Sequence, residues 1–133
     1  MLRCGDQLFH YRRGAGGTET RLHAKRSVGI GGHIAEADAA GGDPYTAGML
    51  RELSEEVAVD TTSTGRLIGF IYDPRTPVGE VHLGVVHLFE LHEPNVTPRE
   101  DAIADAGFAA LSELIVAKEE FETWSQFVLE SIL

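Results

Sequence analysis

The segment that most constrains the fold lies near the middle of the chain and predicts one amphipathic helix. Asp43-Pro44 is a helix start, because Asp accepts hydrogen bonds from free backbone N–H groups and proline suits the first helical position. We expect the helix to run from about Pro44 to Ala58. Apolar residues recur in it at spacings of three and four, which predicts a buried stripe of Leu50, Leu53 and Val57.

Strand patterns flank this helix on both sides, and a second helix is predicted at the C-terminus. Val81–Leu91 is apolar on both faces, as expected of a central strand. Loops are predicted at 35–43 and 93–101. Lys118–Leu133 predicts an amphipathic helix that buries Phe121, Trp124 and Val128. The other predicted strands are Gln7–Arg13, Glu19–His23, Ser27–Ile30, Gly65–Tyr72 and Ala104–Leu111. We therefore expect a single domain, 1–133, of the α/β (α+β) class with a mixed sheet.

Composition excludes several classes of protein. The 133 residues carry a net charge of −10, which argues against a protein that grips a nucleic-acid polymer. No apolar run is long enough for a membrane span. The lone Cys4 cannot form an internal disulfide, and we expect a cytoplasmic protein. Phosphate ligands stay possible, because a divalent cation can bridge protein carboxylates and phosphate oxygens.

The predicted helix concentrates negative charge on one side. Glu52, Glu55 and Glu56 fall within roughly 100° of arc, away from the apolar stripe. Like charges three and four residues apart disfavour a helix, and a divalent cation would relieve the repulsion. A metal-activated water could then attack a phosphate group. On spacing alone, an acidic solvent-exposed face is the alternative interpretation.

The helix sequence also resembles a known motif. Arg51-Glu52-Leu53-Ser54-Glu55-Glu56-Val57-Ala58-Val59 is similar to the second half of the Nudix box, G-x5-E-x7-R-E-U-x-E-E-x-G-U, with U an aliphatic residue. Ala58 stands where the box has glycine, and Asp43 stands where it has glutamate. Gly31-Gly32 resembles the opening of the box if a loop insertion of about five residues precedes the helix.

The resemblance implies an α/β/α sandwich, Mg²⁺ or Mn²⁺, and hydrolysis of a small-molecule diphosphate, most often a nucleoside diphosphate derivative. It implies that Glu52, Glu55 and Glu56 bind metal, that Glu52 and Glu55 act in catalysis, and that Arg51 orients a neighbouring glutamate. Gly32 would shape the loop and His33 would contact substrate. The late-chain loop would add a further carboxylate, for which Glu100 and Asp101 are the candidates.

Two alternative functions stay open. Ala58, Asp43 and the stretched loop are consistent with a Nudix-like module that binds a nucleotide without cleaving it. The segment Ser27–His33 resembles a phosphohydrolase branch near the isopentenyl-diphosphate isomerases. Those isomerases use a cysteine near this segment, and Val28–Ile34 has none, which argues against isomerase activity.

Histidines and aromatics supply weaker predictions. In one continuous strand His82 and His92 would lie about 33 Å apart, with His87 facing away, so we expect surface or edge positions rather than a metal cluster. A nucleobase could stack on an aromatic side chain, with Phe9, Tyr11, Phe70 and Tyr72 as candidates. The short stretch before the first predicted strand suggests a compact or truncated chain, whose pocket wall a homodimer partner could complete.

Overall fold

A computed structural model of the protein describes residues 1–14 and 24–132, in which a mixed sheet lies between helices. The strands are β1 (Leu2–Cys4), β2 (Gln7–Arg13), β3 (Arg26–Ser27), β4 (Val57–Val59), β5 (Ser63–Ile71), β6 (Gly84–Leu91), β7 (Val96–Pro98) and β8 (Ile103–Ala110). The helices are α1 (Pro44–Glu56), α2 (Pro77–Glu80), α3 (Leu111–Val116) and α4 (Thr123–Ser131), with 3₁₀ turns at Glu36–Gly41 and Lys118–Glu120.

Six strands form the main sheet, in the order β3-β2-β1-β6-β5, with β8 paired to β2. The β1–β6 pair is parallel and the other pairs are antiparallel, so the sheet is mixed, as predicted. As the sequence predicted, β6 is an interior strand, since it lies between β1 and β5. Strands β4 and β7 form a separate two-stranded ribbon directly after α1.

Neighbouring residues of β2 point to opposite faces of the sheet, which produces two apolar clusters. Leu8 packs in one cluster with residues of α3 and α4, among them Leu114 and Leu129. Phe9 packs in the other cluster with Val57, the first residue after α1. The fold is therefore layered, with α3 and α4 on one face of the sheet and the end of α1 on the other.

The helix α1 starts as predicted but buries a different position. The Asp43 side chain accepts a hydrogen bond from the Tyr45 amide, and the helix ends at Glu56 rather than at Ala58. Leu50 was predicted to be buried and is 48% exposed, whereas Gly48 is buried. The reason is close packing against the 3₁₀ turn, because a Cβ at Gly48 would lie 2.8 Å from Asp38 Oδ2.

Other segments differ from the sequence prediction in their extent. Strand β1 was missed, and the segment predicted as Ser27–Ile30 is strand only at Arg26–Ser27. Residues 81–83 precede β6 instead of belonging to it. The two predicted loops contain the Glu36–Gly41 turn and β7, which are too short for periodicity to indicate. The predicted strand at 19–23 lies outside the described residues.

The C-terminal helix is shorter than predicted and follows a bend. It spans Thr123–Ser131, and Phe121 lies before it, fully buried in the core. Ser125, Val128 and Leu129 are its buried residues, while Trp124 is only half-buried. In the described part of the chain, no helix has the length and apolar character required to cross a membrane.

Candidate active site

Arg51, on the exposed side of α1, connects four neighbouring groups. Its Nε and Nη2 atoms donate to Asp38 Oδ1 and Oδ2, at 2.9 and 3.1 Å. Its Nη1 donates to Glu52 Oε1 at 2.9 Å and to Glu55 at 3.4 Å. Its Nη2 also donates to the backbone carbonyl of His33 at 3.0 Å. One guanidinium therefore fixes the 3₁₀ turn, two glutamates of the motif and the loop before them.

The ion pair between Arg51 and Asp38 shifts the pKa of both side chains. Hydrogen bonds from Arg51 hold the pKa of the Asp38 carboxyl below its ordinary value, and the Ala35 amide adds to this effect. The carboxylates of Asp38 and Glu52 in turn raise the pKa of Arg51. Asp38 is 8% exposed, so its charge depends on this partner for stabilisation.

The glycine loop before the 3₁₀ turn lies directly against the glutamates. The Gly31 amide donates to Glu56 Oε2 at 3.1 Å, from a backbone with φ of +144° that favours glycine. A Cβ at Gly32 would lie 2.5 Å from Glu52 Oε2 and 2.8 Å from Oε1. Gly32 therefore lets the loop backbone lie directly beside the Glu52 carboxylate, which would have to shift if a Cβ were present.

Glu56 is the most perturbed carboxylate of the motif. Burial raises the pKa of Glu56 to about 7 from an ordinary value of 4.5, and the negative charges of Glu100 and Glu52 contribute further. The Gly31 amide and the positive charge of Arg13 act in the opposite direction. Glu56 is therefore poised to gain or lose a proton near neutrality, and a bound cation would favour its ionised form.

The structure brings most of the predicted site residues together. Arg51, Glu52, Glu55, Gly32 and the His33 backbone are joined by the contacts above, and Glu56 joins through Gly31. Glu100 is close enough for its charge to act on Glu56, whereas the backbone carbonyl of its neighbour Asp101 faces Gly14. Within residues 1–14 and 24–132, no three His, Cys, Asp or Glu side chains are already arranged around a common point.

The exposure of the aromatic candidates separates them into two pairs. Phe9 and Tyr11 are 1% and 3% exposed, so the prediction that either stacks on a nucleobase is wrong. Phe70 and Tyr72 are 64% and 58% exposed, at the end of β5 and directly after it.

Three contacts near the site were not predicted from the sequence. Asp38 lies in a segment predicted to be a loop, where spacing gives no signal for an ion pair thirteen positions away. His82 does not lie in β6, so its predicted separation from His92 along one strand is wrong, and it faces His33 instead. His87 Nδ1 lies 2.8 Å from the hydroxyl of Tyr45 on α1.

Removing the charge of Asp38 tests its role in holding Arg51. We expect Asp38→Asn to lower the melting temperature of the metal-free protein by several degrees, because Arg51 loses the anionic partner to which it donates two hydrogen bonds. Glu36→Gln, on the same 3₁₀ turn but exposed, is the matched control and should leave it unchanged. Thermal unfolding followed by circular dichroism measures both, and equal melting temperatures for the two variants would contradict this role.

The raised pKa of Glu56 predicts a pH-dependent stability. Its contribution is present below the unfolded pKa, near 4.5, and is lost as pH rises through about 7. With chelator present, we expect the stability of Glu56→Gln relative to the parent protein to improve by about 1–3 kcal/mol between about pH 5 and pH 8, allowing for partial exposure. Denaturant unfolding at each pH measures the difference, and a constant difference would contradict the assigned burial effect.

Comparisons with known proteins agree with this architecture. No family model matches the chain. The chain is 34% identical to Protein YmaB of Bacillus subtilis (strain 168), over 98% of its own length and 66% of YmaB. The crystal structure of Tm1382, "a putative Nudix hydrolase", superimposes with a TM-score of 0.80 at 28% identity. That match covers 99% of this chain and 66% of Tm1382, so the chain spans just under two thirds of each relative. The chain therefore has a Nudix fold.

Proposed function

We propose that the protein is a metal-dependent hydrolase that cleaves a diphosphate linkage in a small molecule. The observation that carries the proposal is the arrangement of α1, where Glu52, Glu55 and Glu56 lie beside Arg51 and the Gly31-Gly32 loop, in a Nudix fold. The description of Tm1382 as "a putative Nudix hydrolase" supports the same class of reaction.

Mg²⁺ or Mn²⁺ is the cofactor that fits these residues. Both ions prefer oxygen ligands, and Glu52, Glu55 and Glu56 would hold them, with Glu100 as an additional carboxylate. Burial is the main cause of the raised pKa of Glu56, and repulsion from Glu100 and Glu52 adds to it. A cation bound beside these carboxylates would relieve that repulsion. Because Arg51 and Gly31 now engage these carboxylates, the side chains would turn towards a shared ion. The ion would lower the pKa of a bound water and neutralise phosphate charge.

The protein's own groups would position the reaction. Arg51 donates a hydrogen bond to Glu52 Oε1, and Oε2 is the Glu52 oxygen that lies nearest to where a Cβ of Gly32 would be. Oε2 is therefore the Glu52 oxygen that Arg51 leaves free, and it would accept a proton from the attacking water, directly or through a second water. Loss of the Glu56 proton would increase the negative charge available to a cation. Asp101 stays a weaker candidate than Glu100 for the additional carboxylate.

The substrate that we propose is a nucleoside diphosphate derivative. The exposed rings of Phe70 and Tyr72 offer a surface on which a base can stack, and His33 stands at the end of the glycine loop beside Arg51. A long basic surface is not required for such a small ligand, which agrees with the net charge of −10. We do not propose a nucleic-acid polymer or a membrane as partner, and a homodimer stays a proposal for solution measurements.

A catalytically silent nucleotide-binding module is the second candidate. In its favour, Arg51 already neutralises Glu52 and Glu55, and Ala58 lies in β4, paired with Thr97, at the position where the box has glycine. A module of this kind would bind a nucleotide and leave it intact. The prenyl-diphosphate isomerase is less favoured, because the Cys4 thiol lies in β1 against the carbonyl of His92.

Product release from a panel of diphosphates tests the proposal. The panel contains nucleoside di- and triphosphates, sugar nucleotides, dinucleotides and prenyl diphosphates, each with Mg²⁺, with Mn²⁺ and with chelator. We expect phosphate or nucleoside monophosphate to appear only with metal. Glu56→Gln should reduce turnover by about 10²-fold or more, because it removes an anionic ligand.

Glu93→Gln is the matched control, since Glu93 is exposed and contacts Asn95 in the loop between β6 and β7. It should keep full turnover. Turnover that persists in chelator or in Glu56→Gln would contradict the proposal. Tight nucleotide binding without product under either metal would favour the binding module.

A further inference from the structure

Two histidines from separate loops meet at the edge of the candidate active site. His33 follows the glycine pair, and His82 follows α2. Their Nε2 atoms lie 3.1 Å apart, with ring centroids at 5.2 Å and planes inclined by 50°. The pair is separate from the glutamate contacts but adjacent to them, because the His33 carbonyl accepts a hydrogen bond from Arg51.

A contact with the backbone determines which ring nitrogen of His82 is available to bind another group. His82 Nδ1 lies 2.5 Å from the carbonyl oxygen of Val78, four residues earlier in α2. A carbonyl can only accept a hydrogen bond, so Nδ1 carries the proton and Nε2 of the neutral ring presents its lone pair towards His33. A hydrogen bond of this kind, made by the other ring nitrogen, orients imidazoles that bind metals in proteins.

The spacing of the two nitrogens matches that of ligands on one ion. Two nitrogens bound at about 2.0–2.1 Å in a tetrahedral arrangement lie roughly 3.3 Å apart. The observed 3.1 Å is close to that value, and the His33 ring is on an exposed residue that an ion can reach. Imidazole suits Zn²⁺, Cu²⁺ and Ni²⁺, whereas Mg²⁺ prefers oxygen, so the two kinds of ligand select different ions.

We propose that His33 and His82 form a binding site for a divalent transition-metal ion of the zinc type, distinct from the glutamates of α1. Among the described residues the site has these two protein ligands and no third, so water or a substrate phosphate fills the other positions. The ion would join the Gly31–His33 loop to residues 81–83, whose Val81 and Leu83 are 76% and 63% exposed. The proposal does not depend on the hydrolase activity, because it concerns binding alone.

Calorimetric titration with Zn²⁺, in excess Mg²⁺ and without substrate, tests this site. We expect one Zn²⁺ to bind per chain, and His33→Gln or His82→Gln to weaken that binding at least about tenfold. His92→Gln, which alters a histidine in the exposed turn after β6, should bind Zn²⁺ like the parent protein.

The Glu56→Gln variant tests whether this site is distinct from the proposed hydrolytic centre. It should bind Zn²⁺ with unchanged affinity, even though turnover is lost. Unchanged affinity in His33→Gln would overturn the proposal, and so would loss of zinc binding in Glu56→Gln. His33 is exposed, so its variant gives an answer even if His82→Gln fails to fold. A plain hydrogen bond between the two rings, with no zinc bound, is the remaining outcome that would overturn it.

Discussion

The contacts of Arg51 are the interaction on which the candidate site depends. The α1 helix carries three glutamates on one side, an arrangement that a helix tolerates poorly without a compensating charge. Arg51 supplies that charge to Glu52 and Glu55, and the buried carboxylate of Asp38 holds Arg51 in place through two hydrogen bonds. The arrangement is therefore an ion-pair network, in which each member is held by its neighbours.

Two glycines permit the close packing that this network requires. Gly48 lets α1 approach the turn that carries Asp38, and Gly32 lets the loop backbone approach Glu52. Glu56 has no contact with Arg51 in this network, and among the described residues the Gly31 amide and the charge of Arg13 are what compensate it. That difference explains why burial dominates at Glu56 and why its pKa rises to about 7. In α1, Glu52 and Glu55 are therefore paired with Arg51, whereas the pKa of Glu56 lies near neutral pH.

The sequence predicted long elements well and short ones poorly. Helix α1 and the strands near Gln7–Arg13 and Gly65–Tyr72 have periodic patterns and clear ends, and the structure places them within a few residues of the prediction. Strand β1, helix α2 and ribbon strand β7 have three or four residues each, too few for a period to emerge. Their positions are set by pairing and packing with distant parts of the chain.

In the candidate site, too, the contacts within one helix could be predicted from the sequence, whereas the contacts between separate loops could not. The spacing of Glu52, Glu55 and Glu56 along one helix indicated which side chains would lie together, because helical geometry alone determines it. The Asp38–Arg51 and His33–His82 contacts join separate loops, whose conformations depend on tertiary packing. The apolar spacing of α1 predicted that Leu50 is buried, but Leu50 is exposed. The face of α1 that packs closely is instead the one with Gly48, which lies against the 3₁₀ turn.

The most direct test of this account is the position of Mn²⁺ in crystals soaked with that ion, located by its anomalous scattering. We predict a peak between the carboxylate oxygens of Glu52, Glu55 and Glu56, with the Arg51–Asp38 ion pair intact and the glutamates turned away from Arg51 and Gly31. A peak elsewhere on the protein, or none at a manganese concentration that supports turnover, would contradict the claim that the glutamates of α1 form the metal site.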